Sequence, residues 1–346
     1  MAYISFQPSD FFNTLLYDGN NSTQALTGVG FQPGFCWIKS RNNTDNHALY
    51  DAVRGATKTI YSNDQAAEVT NANGLTSFDA DGFTCGDANI VNGGTGRIYF
   101  SLSWKAGTTT GIDTTGSTIT PSAYSFNQTN GFSIVQYTGN DTAGAKVPHG
   151  LGVAPKMVII KSTSSTNYWV VGHASAGWTH YAYLNTNGAV SADATRFNDT
   201  APDSVNVTLG SGGNTNGSGG DSPFIMYSFA PIKGFSAISQ YRGNGNTDGP
   251  FVETGFRPAF VMIKYDAAGN WYMFNNKALG YNPDNEMQYA DLGNAEGTTD
   301  AIDFLSNGFK LRHTDTGYNA NNETYYYIAF ADFPFVSSNS KACVAR

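Results

Sequence analysis

Three times along the chain, an unbroken apolar run follows a Gly-Φ-x-Pro entry, where Φ is apolar, and ends on lysine. The copies are GFQPGFCWIK (30–39), GVAPKMVIIK (152–161) and GFRPAFVMIK (255–264). A short apolar run without alternation predicts a strand covered on both faces. The proline gives no ladder hydrogen, so it is predicted at the strand's first residue. The terminal Lys39, Lys161 and Lys264 are expected to carry the chain back to solvent, their ammonium groups snorkelling to water. A second strand pattern follows each run after a polar loop: HALYDAV, YWVVGHA and WYMFNNKA. The near-constant interval predicts a hairpin. Each unit closes on an aromatic strand: IYFSLSWKAG, PFIMYSFAP and YYYIAFADFPF.

A second marker keeps nearly the same period. Tyr-x-Gly-Asn stands at 17–20, 137–140 and 241–244, the tyrosines 120 and 104 residues apart, and Pro33, Pro155 and Pro258 are spaced by 122 and 103. Two independent markers at one period indicate internal triplication. SFDADGFTCG in the first unit matches FLSNGFKLRH in the third, and the second has only DSVNVTLG. The predicted fold is all-β: three tandem β-sandwich (jelly-roll or lectin-like) repeats of about 100 residues. The boundaries fall at 1–123, 124–231 and 232–346; one interlocked fold whose units share sheets is the alternative. The Gly/Ser/Thr-rich segments 106–120 and 209–221 read as linkers or loop tips, the latter as a loop insertion.

Composition agrees with strands and turns. Among 346 residues, 39 Gly, 20 Tyr and 23 Phe accompany only five glutamates (Glu68, Glu253, Glu286, Glu296 and Glu323). Such a chain is poor in helix formers. The net charge of −8 comes without a basic cluster, which argues against nucleic-acid binding. Neither a membrane-spanning apolar run nor a signal-peptide pattern in MAYISFQPSD is present, so membrane insertion and independent secretion are not expected. Cys36, Cys85 and Cys343 form neither a disulfide framework nor a metal motif, and Cys36 reads as a small buried hydrophobe.

Candidate chemistry is sparse. His47, His149, His173, His180 and His313 never recur at one equivalent place in all three units, and no Gly-x-Ser-x-Gly elbow occurs. Asp79 and Asp81 could pair as glycosidase carboxylates, but Asn307 replaces Asp81 in the third unit, so a turn role is favoured. The chain is read as having no catalytic residues, no metal site and no cofactor. Trp37, Trp169 and Trp271 lie in core-like strands. Trp178, which follows a glycine in SAGWTHYAY, is the best exposed aromatic. Together with Tyr181 and Tyr183 it is the candidate carbohydrate-binding platform.

The stretch from Gly30 to Gly107 resembles a recurrent module of marine tailed bacteriophages. It carries Gly-Φ-x-Pro with Trp37-Ile38-Lys39, the stretch His47-Ala-Leu-Tyr-Asp51-Ala-Val-Arg54-Gly55, a Ser77-Phe-Asp-Ala-Asp-Gly-Phe83 hinge and Trp104-Lys-Ala-Gly107. The other two units keep only the entry and the Ile-Lys core. The resemblance implies a non-enzymatic virion structural protein, surface-exposed and tail-fibre or tail-tip associated, that recognises host-surface polysaccharide. Its implied partners are other virion proteins and a host receptor, with a homotrimer open. It would be made in the host cytoplasm and displayed on the particle. A capsid decoration or cement protein is the alternative, and a polysaccharide depolymerase a more distant one.

Overall fold

The computed structural model describes residues 4–278, 282 and 284–334. Cys343 and the end of the third unit, 335–346, lie outside the described residues. Strands hold 42% and helices 7%, so the chain is mostly β. Its three large antiparallel sheets each draw their strands from one stretch of chain: 12–104, 123–229 and 236–334.

Each large sheet contains the same run of four neighbours. In the first these are Phe12–Asp18, Ile98–Trp104, Phe35–Ser40 and Ala48–Asp51. In the second they are Phe132–Tyr137, Phe224–Phe229, Met157–Ser162 and Val170–His173; in the third, Ser236–Arg242, Thr324–Pro334, Phe256–Tyr265 and Trp271–Asn275. The registers agree, because Trp37 faces Leu102 where Ile159 faces Tyr227 and Met262 faces Ile328. Each apolar run pairs with its second strand as a hairpin. Pro33 and Pro155 precede their strands, whereas Pro258 sits inside one at a register shift, where a missing amide hydrogen is tolerated.

The runs lack alternation because both faces are buried. Phe35, Trp37, Met157, Ile159, Phe260 and Met262 point to a core shared by all three sheets. Cys36 and Ile38 point the other way, into a second core beneath the small sheet of Gln24–Thr27, Gly82–Cys85 and Leu75–Asp79. Ala145–Pro148 with Asn206–Leu209 covers the second large sheet likewise. In the third, the corresponding strands stay joined to the large sheet, giving eight strands in a nearly closed barrel. The units therefore share a core and not a sheet.

The Tyr-x-Gly-Asn signature acquires a physical role. Tyr17, Tyr137 and Tyr241 each donate to a carbonyl in a short helical turn, those of Val91, Thr215 and Tyr318. The backbone amides of Asn20, Asn140 and Asn244 donate to the side-chain oxygens of Asn92, Asn216 and Asn319, which are fully buried at the ends of those turns. A Cβ on Gly19, Gly139 or Gly243 would overlap a carbonyl oxygen of the segment just after the turn, so the position demands glycine. Segment 209–221 is thus no insertion. Its turn Gly213–Asn216 corresponds to Asn89–Asn92 and Thr316–Asn319.

The sheets close head to tail. The amide of Glu68 donates to the Thr163 carbonyl, that of Val190 to Asp266, and that of Glu296 to Arg41, at 2.7–2.9 Å. Donors and acceptors occupy equivalent places in the three units, so the contacts run first to second, second to third and third to first. A second ring has the same pattern. Trp169 Nε1 donates to the carbonyls of Tyr61 and Asp64, Trp271 Nε1 to Tyr183, and the equivalent His47 bonds Leu292 through Nε2. Trp37 donates to His47 Nδ1, which fixes the neutral tautomer with its proton on Nε2.

The lysine expectation is corrected. Lys39, Lys161 and Lys264 are buried, on the same face as the shared-core residues. Each folds under the loop that follows and donates to its carbonyls: Ser40 and Asn43, Ser162 and Ser165, and Gly269. Backbone oxygens replace water, and burial pulls all three ammonium groups down to about 8.

Candidate functional site

The predicted platform lies on the second sheet. In the strand His180–Tyr183, Ala182 enters the shared core, while Tyr181 and Tyr183 lie half-buried on the opposite face. Their rings meet edge to face at 4.9 Å, and Tyr168 stacks on Tyr183 at 4.3 Å. The Arg196 guanidinium lies 5.1 Å from the Tyr181 ring centre and 5.9 Å from that of Tyr183, and donates to the Tyr183 hydroxyl at 3.0 Å. Arg196 is held in place because Asp193 caps the helical turn Ala194–Phe197 and pairs with the guanidinium at 3.4 Å. Burial pushes the Tyr183 phenol up to about 12, so it stays a neutral hydroxyl.

Trp178 is less exposed than the sequence suggested. It packs edge-on against Phe197 at 5.3 Å, above Gly172, where a Cβ would overlap both rings. The three predicted residues border one outer core, but only Tyr181 and Tyr183 touch each other. Tyr168 and Arg196 complete the patch. Sequence reading passed over both, since neither carries a local signal beyond the Asp193 cap. Half-exposed rings beside a guanidinium can stack on a sugar face and donate hydrogen bonds. They supply no acid–base pair.

The other candidates are absorbed by structure. Asp81 accepts the amides of Gly28 and Gly30, and Asp79 accepts the hydroxyls of Ser77 and Thr84, as a turn role requires. Burial lowers His47 to about 3 and His173 to about 4; both rings bond backbone carbonyls, as does that of His149. Cys36 and Cys85 are buried free thiols, Cys36 pushed up to about 12 by burial. No cluster of three potential metal ligands occurs among the described residues. A cleft of about 310 Å³ beside Gly55 is lined by Gln32, Pro33, Phe78, Ser125 and small residues, none of them titratable.

The polar interior of the first unit is organised by its Asp51-Ala-Val-Arg54 stretch. Arg54 holds Asp51 and Glu68, and Asp51 in turn accepts the Tyr227 hydroxyl of the second sheet at 2.7 Å. Residues that served only as a signature in the sequence thus bridge two sheets.

Fold and site together define a mostly β protein, three sheets closed around one core with an aromatic patch on its flank. The chain belongs to the family described as Domain of unknown function (DUF7483), whose model matches residues 7–334. No curated protein and no solved structure matches it.

Proposed function

We propose that this chain is a non-enzymatic structural protein of a tailed-bacteriophage virion. It is displayed at the tail fibre or tail tip and recognises host-surface glycan. The observation that carries the reading is the head-to-tail ring: three equivalent backbone contacts close one chain into a threefold scaffold. Interior His47, His173 and Asp51 bond across to neighbouring sheets, which suits a mechanical part of a particle better than an enzyme. The finer architecture belongs to the same proposal: three tandem jelly-roll-like sandwiches, 1–123, 124–231 and 232–346, imitate a trimer within one chain. Glycan meets the patch of Trp178, Tyr181 and Tyr183, with Arg196 behind the rings.

Three measurements test it. Gold-labelled antibody against the chain should decorate tails of intact particles; uniform labelling of the shell would move the protein to a capsid decoration role. Purified chain should bind host cells, and Tyr181→Ala should weaken that binding about tenfold, the loss of roughly 1.4 kcal/mol of stacking. Equal binding by Tyr181→Ala, Trp178→Ala and wild type would remove the glycan face. Release of reducing ends from host polysaccharide would replace the whole reading with a depolymerase.

A further inference from the structure

The cleft beside Gly55 lies where the first unit's Gly-Φ-x-Pro entry meets Ala123–Asn127, the edge strand of the second sheet. It holds about 310 Å³, at the lower end of the ~300–1,000 Å³ range of small-molecule sites. Backbone contacts tie its two sides together. The Gly107 amide donates to the Ser125 hydroxyl oxygen at 2.9 Å, and Thr108 and Phe126 exchange amide-to-carbonyl bonds. A Cβ on Gly55 or Gly107 would meet nothing within 4 Å, so both glycines border open space. The repeats show how this place differs between units. The Gly34 carbonyl accepts the Ala52 amide, as Lys156 accepts Ala174 and Ala259 accepts Asn276. Gln32, one residue before the proline, corresponds to Ala154 and Arg257. Each of the other units therefore places a charge here: Lys156 in the second, and in the third Arg257, paired with Asp332 at 3.8 Å. The first unit places none.

We propose that this cleft is a binding site for a neutral pyranose sugar. A pyranose presents an apolar face of C–H groups and a rim of hydroxyls that both give and take hydrogen bonds. The lining offers the complement. The half-buried Phe78 ring supplies an apolar wall on which that face can stack. Ser125 supplies a donor. It is only 3% exposed, its oxygen is taken by the Gly107 amide, and its hydrogen has no acceptor among the described residues. Leaving a buried donor unmade costs free energy, which a sugar hydroxyl would recover. Gln32 supplies an acceptor. Its amide nitrogen is spent on the Phe78 carbonyl at 2.9 Å, which fixes the carboxamide and leaves Oε1 without a donor among the described residues. With no titratable side chain in the lining, nothing offsets the desolvation of a phosphate, carboxylate or ammonium, so the site selects against charged sugars. It shares no residue with the patch of Trp178, Tyr181 and Tyr183 and does not depend on it.

NMR titration of the full chain tests the site, following the amide resonances of Gly55 and Gly107. The probes are the methyl pyranosides of glucose, galactose, mannose and N-acetylglucosamine. At least one should shift both amides, with a dissociation constant on the order of 1 mM, as one stacking face and a few hydrogen bonds allow. Ala52→Trp plugs the cleft at a position where the third unit already carries Asn276, and should weaken binding by about tenfold or more. Phe78→Ala removes the wall and should weaken it about tenfold. The 6-phosphate of the bound sugar should bind about tenfold more weakly than its neutral parent. Tyr181→Ala should leave the titration unchanged, so failure of this site and failure of the flank patch are read separately. Amides that none of the four sugars moves, equal binding by Ala52→Trp and wild type, or equal binding of the phosphate and its parent would each overturn the proposal. If Phe78→Ala fails to fold, Ala52→Trp decides.

Discussion

Replacing Trp104 with alanine will destabilise the protein by about 3–5 kcal/mol, the range for removing a large aromatic from a packed core. The indole is the densest meeting point of the shared core. It touches Phe12 and Phe35 of its own sheet, Phe132 and Phe229 of the second, and Phe260 and Phe330 of the third, with ring centres 4.9–6.3 Å apart. The core around it holds an apolar cavity of only about 20 Å³, so the structure has little slack with which to refill the gap. Because all three sheets lose contacts at once, urea unfolding should shift as a single transition seen equally by probes in each unit. Trp104→Phe keeps an aromatic at the site and should cost less than half as much. A transition in which only the first unit's probes move would show that the core is not shared energetically.

Why the sequence showed the sheets but not this core is physical. Pattern reading finds a strand covered on both faces from an unbroken apolar run, and all three runs were legible. It does not say what covers each face. In a half-exposed strand, alternation marks the inner side. Here Phe35 and Cys36 are both buried, one in the shared core and the other in the first unit's own core. The same ambiguity misplaced the lysines. A charged residue ending an apolar run usually meets water. Lys39, Lys161 and Lys264 meet carbonyls of the following loop, an arrangement set by a turn whose path no composition rule predicts.

The patch was legible in part. Tyr181 and Tyr183 share a strand face because they are two residues apart, which sequence spacing gives directly. Tyr168 and Arg196 join them through pairing between strands and a capped helical turn, contacts that are not local in sequence. The pairs that Arg41 makes with Glu286 and Glu296 are more distant still, 245 and 255 residues apart. The one available hint was scarcity. A chain with five glutamates places Glu68, Glu286 and Glu296 beside buried arginines, so rare acidic residues marked the junctions.

The second large effect is expected at Arg54, whose removal should also cost about 3–5 kcal/mol, for a different reason. Its side chain is 1% exposed and that of Asp51 is fully buried. The guanidinium donates to Asp51 at 2.5 Å, to Glu68 at 3.2 Å, and to the carbonyls of Lys58 and Leu49 at 3.0 Å. Asp51 also accepts the amides of Val53 and Arg54 and the Tyr227 hydroxyl. Arg54→Ala leaves that carboxylate charged, buried and without its cation, and it strips two carbonyls of donors. The penalty is therefore mainly the stranded charge and not lost contact area. Two further proteins separate the terms. Asp51→Asn in the Arg54→Ala background removes the stranded charge and should recover a good part of the loss; Arg54→Met restores packing alone and should recover little. The double-mutant cycle between the two positions, measured by urea unfolding near pH 7, should show strong coupling. Additive losses would mean that Arg54 acts by filling space. Because Asp51 carries the bond to Tyr227, the same variants should loosen the first sheet from the second, so exchange at the Glu68 amide will rise before the strands themselves open.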